Sequence, residues 1–174
     1  MKMNKLLLLL ILIIVTNCAQ YTMMESALKV ENIKKYEASG ESAFFEVFLS
    51  DDVKGVTYLR SSIPQMQVAA NESLKKSQLC TIDASNPDYK ITAFIIECKI
   101  PFVGFSFNVE TEIKYDCLKE NKLVFSKTIR TNHTTTVGEA FSGDVRVRKS
   151  IEGSYRKNID EFIAELSSFI NKKE

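Results

Sequence analysis

Thirteen residues from Phe105 to Cys117 alternate without a break, with Phe105, Phe107, Val109, Thr111, Ile113, Tyr115 and Cys117 on one side. Ser106, Asn108, Glu110, Glu112, Lys114 and Asp116 fill the other. A period of two sustained over that length fits an extended strand with one dry and one wet face, as antiparallel sheets allow, and it fits no helix. The flanking segments extend the pattern. Tyr89 to Ile100 reads as a strand, Pro101 to Gly104 as a turn, Leu118 to Lys122 as a polar turn, and Leu123, Phe125 and Ile129 as an apolar face running to about Arg130. Three consecutive strands of this kind predict a meander.

Around the meander, Ser42–Leu49 (SAFFEVFL) also alternates and reads as an earlier strand, followed by a turn-like Asp51-Asp52-Val53-Lys54-Gly55. Ser61 or Ser62 is positioned to cap a helix running to about Leu79, with Ile63, Met66, Ala70 and Leu74 on its buried side. After a polar stretch from Thr131 to Thr136, Ser142 caps a long helix, with Asp144 favourable near the positive end of the helix dipole. Its stripe of Ile151, Tyr155, Ile159, Phe162, Leu166 and Phe169 needs a partner, and the dry face of the meander supplies one. The expected fold is α+β, an antiparallel sheet (the three-stranded meander plus the N-terminal strand) packed against two helices.

The N-terminus carries Lys2 and Lys5, then an apolar run from Leu6 to Val15, then Val15-Thr16-Asn17-Cys18. Ten apolar residues suffice for the core of an export signal and fall short of the roughly 20 that span a bilayer. The closing tetrad resembles the lipobox of bacterial lipoproteins. That resemblance implies diacylglycerol in thioether linkage on Cys18, cleavage just before it, and acylation of the freed amine. It divides the chain into a signal peptide (1–17), a lipidated N-terminus and tether (18–40) and a single periplasmic α+β domain (41–174). Ala19, where an aspartate would favour the inner membrane, favours the outer one.

The leader contributes two lysines and no acid, so its removal brings the 23 basic residues just below the 22 acidic ones. Such a balance gives no electrostatic reason to expect nucleic acid as a partner. Three further cysteines, Cys80, Cys98 and Cys117, contain no C-x-x-C spacing, and with one histidine in the chain a zinc site is not expected. If Pro101–Gly104 is the hairpin tip, opposed residues sum to about 205, placing Cys117 near Asp88 or Tyr89 and at the same end as Cys80. Export permits a disulfide, for which Cys80 and Cys117 are the favoured pair; three thiols are the alternative.

Candidate chemistry is sparse. His133 reads as a surface-loop residue; a general base acting with Ser126 or a nearby threonine is the rival, without an orienting acid or a nucleophile motif. Asp51–Asp52 in a turn and Glu110–Glu112 on a wet strand face, where Lys114 and Lys99 could screen them, read as solvated charge, since a catalytic pair needs one carboxyl buried enough to raise its pKa. At the start of the long helix, Arg146 and Arg148 could contact an anionic group or a partner alongside free backbone N–H donors, or simply meet acids and solvent.

The order of strand, helix, meander and closing helix over residues 41–170, with Tyr155-Arg156-Lys157-Asn158-Ile159 on the last, resembles small bacterial lipoproteins of YajG-like layout. The resemblance implies a binding or accessory role and transfers no catalytic residue. The expectation is a non-enzymatic envelope lipoprotein whose partners are the membrane, through its lipid, and an envelope protein or lipid. No cofactor or metal is expected beyond the covalent lipid on Cys18. An auxiliary subunit of an envelope transport or assembly complex is the leading variant, and an envelope hydrolase or transferase the rival.

Overall fold

A computed structural model describes residues 23–51, 53, 57–101 and 104–172. The leader, Cys18, Ala19 and Asp52 lie outside them. The elements in order are α1 (Glu25–Leu28), β1 (Ser42–Leu49), α2 (Thr57–Ser77), β2 (Thr81–Ile82), β3 (Tyr89–Lys99), β4 (Phe107–Lys119), β5 (Lys122–Thr135) and α3 (Gly143–Asn171).

Strands β3, β4 and β5 form the expected antiparallel meander, but the sheet as a whole is mixed, in the order β2-β1-β3-β4-β5. Strand β1 runs parallel to both β2 and β3, which corrects the all-antiparallel expectation. The cause is the connection: α2 carries the chain back over one face between β1 and β3, and such a crossover delivers the next strand parallel. The β4–β5 turn needs only Glu120 and Asn121, both in the left-handed region with φ of 52° and 59°, the geometry whose twist suits a two-residue hairpin.

Helices α2 and α3 cover the same face of the sheet. Beneath them lie Phe45, Val47, Ile91, Ala93, Ile95, Val109, Ile113 and Tyr115, meeting Met66, Ala70 and Leu74 of α2 and Ile151, Tyr155, Ile159, Phe162 and Leu166 of α3. Tyr115 stacks on Phe162 with centroids 4.0 Å apart, and Phe45 meets Phe162 edge-on at 5.4 Å, arrangements that add to simple burial. The helices also bind the backbone of the outer strands. Asn71 receives the Phe45 N–H at 3.0 Å and donates to its carbonyl at 3.1 Å, while Gln67 receives the Val47 N–H. On the other side Ser154 donates to Thr131 O and Asn158 to Ile129 O, both at 2.9 Å. Side chains thereby occupy backbone groups that would otherwise invite another strand.

Several expectations need correction. Helix α2 begins at Thr57 and contains Pro64, so Ser62 is not its cap but a buried helical residue whose Oγ receives the Met23 N–H at 2.9 Å. Strand β5 runs on to Thr135 because the inward-facing Thr131 and Thr135, though polar, are buried. Phe105 precedes β4 and is 88% exposed instead of lying on the dry face.

The supposed tether also changes character from Met23 onward. Met23, Leu28, Val30 and Ile33 are buried. Ser73 Oγ receives the Val30 N–H, Lys76 donates to Val30 O, and Tyr36 N donates to Ser77 O. Residues 23–39 form a strap bound along α2, not a spacer.

Candidate functional site

Because both helices sit on one side, the opposite face of the sheet is bare among the described residues. Its residues follow from the register: Phe44, Glu46 and Phe48 on β1, Lys90, Thr92 and Phe94 on β3, then Lys114 and Thr128 in line with Phe94 across β4 and β5. Phe48 and Phe94 are paired neighbours, stacked at 5.5 Å, and 46% and 36% exposed. Isolated exposed apolar residues are ordinary, but a contiguous stacked pair is not.

A bulge between Ile95 and Glu97 builds the rest of this surface. The extra residue reverses the parity of β3, so Glu97 and Lys99 join the bare face, Cys98 turns toward the core and Ile96 is left 38% exposed. Glu97, Glu112 and Arg130 then lie in one row across three strands, with Lys99 and Glu110 in the next. Arg130 contacts Glu112 through both Nη2 and Nε, the latter at 3.1 Å, and Lys99 reaches Glu97 at 2.9 Å and Glu110 at 3.3 Å. Glu112 holds the Arg130 guanidinium above its usual range, and Glu97, with Glu110, does the same for the Lys99 ammonium. Three acids and two bases thus form a connected, solvent-facing network next to the aromatic pair. The sequence signal for it existed in Glu110 and Glu112, read as wet-face charge within reach of Lys99; the contribution of Glu97 depended on the bulge.

Arg146 is buried with its Nη1 donating to Ala140 O at 2.9 Å and Phe141 O at 2.6 Å, and its guanidinium lies over the Phe107 ring at 5.4 Å. It holds the loop before α3 and does not face solvent as an anion contact. Arg148 points to Glu152, with Nε 3.7 Å from the carboxylate. Burial raises the Glu152 pKa, opposed by Arg148 and by other nearby donors. Arg146 therefore serves the fold, while Arg148 lies partly exposed beside Glu152. Ser142 occupies the N-cap position of α3 without a side-chain cap bond, its hydroxyl meeting Asp144 instead.

His133 lies within β5, not in a loop, and its half-buried ring packs on Gly153 of α3. Partial burial, with Lys157 and Arg156 nearby, lowers its pKa below the usual 6.5. No disulfide joins Cys80 to Cys117. Cys117 is paired with Ile91 in the register, and strands β1 and β3 lie between β4 and the β2 row that Cys80 precedes. Three inter-strand spacings come to about 14 Å, twice what a disulfide tolerates between Cα atoms. Burial pushes the Cys98 thiol up to about 12 and raises that of Cys80, which makes poor nucleophiles of both. Asp51 is exposed in the turn after β1.

Of the concavities, a cleft of about 670 Å³ between α1 and α2 is walled by Lys29, Glu31, Glu72 and Lys75 in alternating charge. Lys29 is paired with Glu25 and Lys76 with backbone carbonyls, so the cleft offers no concentrated field of one sign. Among the described residues no three His, Cys, Asp or Glu side chains are placed to hold a metal, and no helix is long and apolar enough to cross a membrane.

No protein-family profile and no curated protein matches the chain. Solved structures are similar to it, and those with a TM-score above 0.5 share its fold. A Xanthomonas campestris protein of the DUF330 family superposes with a TM-score of 0.59 at 8% identity, over 88% of this chain and 94% of that one. A hypothetical protein from Chlamydia trachomatis gives 0.51 at 11% identity, over 76% and 98%. The rare lipoprotein B of Shewanella oneidensis gives 0.46 at 12% identity, over 76% and 99%.

Proposed function

We propose that this chain is an envelope lipoprotein, held by lipid on Cys18 with its domain in the periplasm, and that the bare sheet face binds a protein partner. Cys18 receives diacylglycerol on sulfur and an acyl group on its amine; Ala19 favours the outer membrane. The observation that carries the binding role is the stacked Phe48–Phe94 pair beside the Glu97–Lys99–Glu110–Glu112–Arg130 network. An apolar centre with a charged rim is how protein–protein interfaces are built, with aromatic and arginine side chains contributing most of the affinity. A flat face of this kind suits a protein surface better than a small molecule, which needs a concave site. The role is accessory, as in a subunit of an envelope transport or assembly machine, and involves no catalysis.

The test is a photo-crosslinking amino acid placed at Phe94 or, as a control, at the turn residue Lys122, in cells making the full chain. A defined crosslinked protein is expected at Phe94 only, and it is expected to disappear with Phe48→Ser and weaken with Arg130→Ala. Identical patterns at both positions, or none at Phe94, would overturn the assignment of the face. An envelope hydrolase or transferase activity abolished by His133→Ala would overturn the non-enzymatic role.

A further inference from the structure

The exposed apolar side chains at the two ends of the domain are unequal. Phe141 is 92% exposed and Phe105 88%, the two barest large apolar residues described, with Met24 at 60% and Val137 at 39%. Phe105, Val137 and Phe141 belong to the end where α3 begins, and Met24 lies on the same half of the domain, beside Glu152. Ser150 donates to Phe107 O at 2.7 Å, bringing the start of β4, and Phe105 just before it, to the first turns of α3. Arg146, buried and bonded to Ala140 O and Phe141 O, fixes the loop that carries Phe141. The ring is presented outward by a clamp rather than by an unstructured tip.

The N-terminal chain leaves the domain toward this same end. Arg156 holds Ala27 O, and one turn earlier on α3 the Glu152 carboxylate lies close to the Met24 backbone. Followed backward from Ala27 to Met23, the described chain therefore runs toward the start of α3. From Glu152 that start is about 14 Å away and the far end of the helix about 28 Å, at 1.5 Å per residue. The five steps from Met23 back to Cys18 reach at most about 18 Å. An anchor on Cys18 can bring the bilayer to the Phe105–Phe141 end and not to the opposite one, where the Glu120–Asn121 turn lies.

We infer that Phe105 and Phe141 enter the interfacial layer of the membrane and, together with the lipid, dock the domain upright on its α3-start end. The occupant is a phospholipid surface: the five steps between Cys18 and Met23 are too few to hold the domain far from it, and Met23 lies beside the half of α3 nearer its start. Two or three acyl chains already supply firm attachment; the aromatic side chains, which favour the headgroup level, fix orientation. Neighbouring exposed charges are of both signs, Lys149 and Arg60 with Glu139 and Asp144, so docking does not depend on anionic lipid. The bare sheet face then stands perpendicular to the bilayer, open to a partner alongside.

This inference rests on the lipid anchor of the proposed function. The chain contains no tryptophan, so Phe105→Trp, Phe141→Trp and Leu123→Trp each introduce a single probe, the last at the opposite end, where Leu123 is 60% exposed. Each full chain is purified from bacterial membranes, weighed to establish the lipid on Cys18, and reconstituted in phosphatidylethanolamine–phosphatidylglycerol vesicles with or without brominated acyl chains. Blue-shifted emission quenched by bromolipid is expected for positions 105 and 141, with neither effect at 123. Lipid-bearing protein in which positions 105 and 141 behave like 123, or a blue shift without bromolipid quenching, overturns the docking while leaving the anchor intact. An unmodified Cys18 overturns the anchor, and the docking with it.

Discussion

Gly153 in the middle of α3 offers a quantitative check on how the long helix sits against β5. A Cβ built there would stand 2.2 Å from His133 Cδ2 and 2.3 Å from Cγ, far inside van der Waals contact. Gly153→Ala should gain about 1 kcal/mol from helix propensity but lose about 1–3 kcal/mol because the ring or the helix must shift, a net loss of up to about 2 kcal/mol. With His133→Ala in place the obstruction is gone. The same substitution should then stabilise by about 1 kcal/mol, an inversion of sign that corresponds to a coupling of about 1–3 kcal/mol between the two sites. Thermal unfolding of the four proteins of the cycle reads this directly, at about 2–4 °C per kcal/mol for a domain of this size. Equal stabilisation by Gly153→Ala in both backgrounds would refute the close packing of His133 on α3.

Asn158 is fully buried, accepting from Tyr115 Oη at 2.7 Å and donating to Ile129 O. Asn158→Leu leaves two buried polar groups without that partner and should cost about 3 kcal/mol, at about 1–3 kcal/mol for each, in denaturant unfolding; Tyr115→Phe should cost much less in that background than in the wild type. His133 makes stability pH-dependent: its pKa is lowered in the fold, so on acidification the unfolded chain binds the proton first. Stability is therefore expected to fall as pH drops from above the ordinary value of 6.5 toward the lower folded one, and His133→Ala should remove that component of the slope.

The meander and the closing helix were legible because their side-chain periods are long and clean: Phe107 to Cys117 at two residues, Ile151 to Phe169 at three and four. Strand direction was not, since Phe45 and Val47 alternate identically whether β1 is parallel or antiparallel to its neighbour. The bulge was invisible because Ile95 and Ile96 are both apolar, and a repeated isoleucine does not reveal which of the two faces the core. Without the bulge, Glu97 could not be assigned to the bare face, and its link through Lys99 to Glu110 stayed unread. The length of β5 was hidden by Thr131 and Thr135, polar side chains buried on the inner face, the former bonded to Ser154. The strap defeated a periodic reading because Met23, Leu28, Val30 and Ile33 are spaced irregularly along α2. Arg146 looked like an anion contact because its backbone acceptors, Ala140 O and Phe141 O, come from a loop whose path the sequence does not specify.

Everything proposed for the function depends on Cys18, and its chemistry can be read in one measurement. The full chain is produced in a bacterial envelope, extracted from membranes and weighed intact, with Cys18→Ser as the comparison. The account predicts a mature protein beginning at Cys18 with diacylglycerol and acyl mass on that residue, and an uncleaved, lipid-free precursor for the variant. A mature chain starting elsewhere, or one carrying no lipid on Cys18, would contradict it.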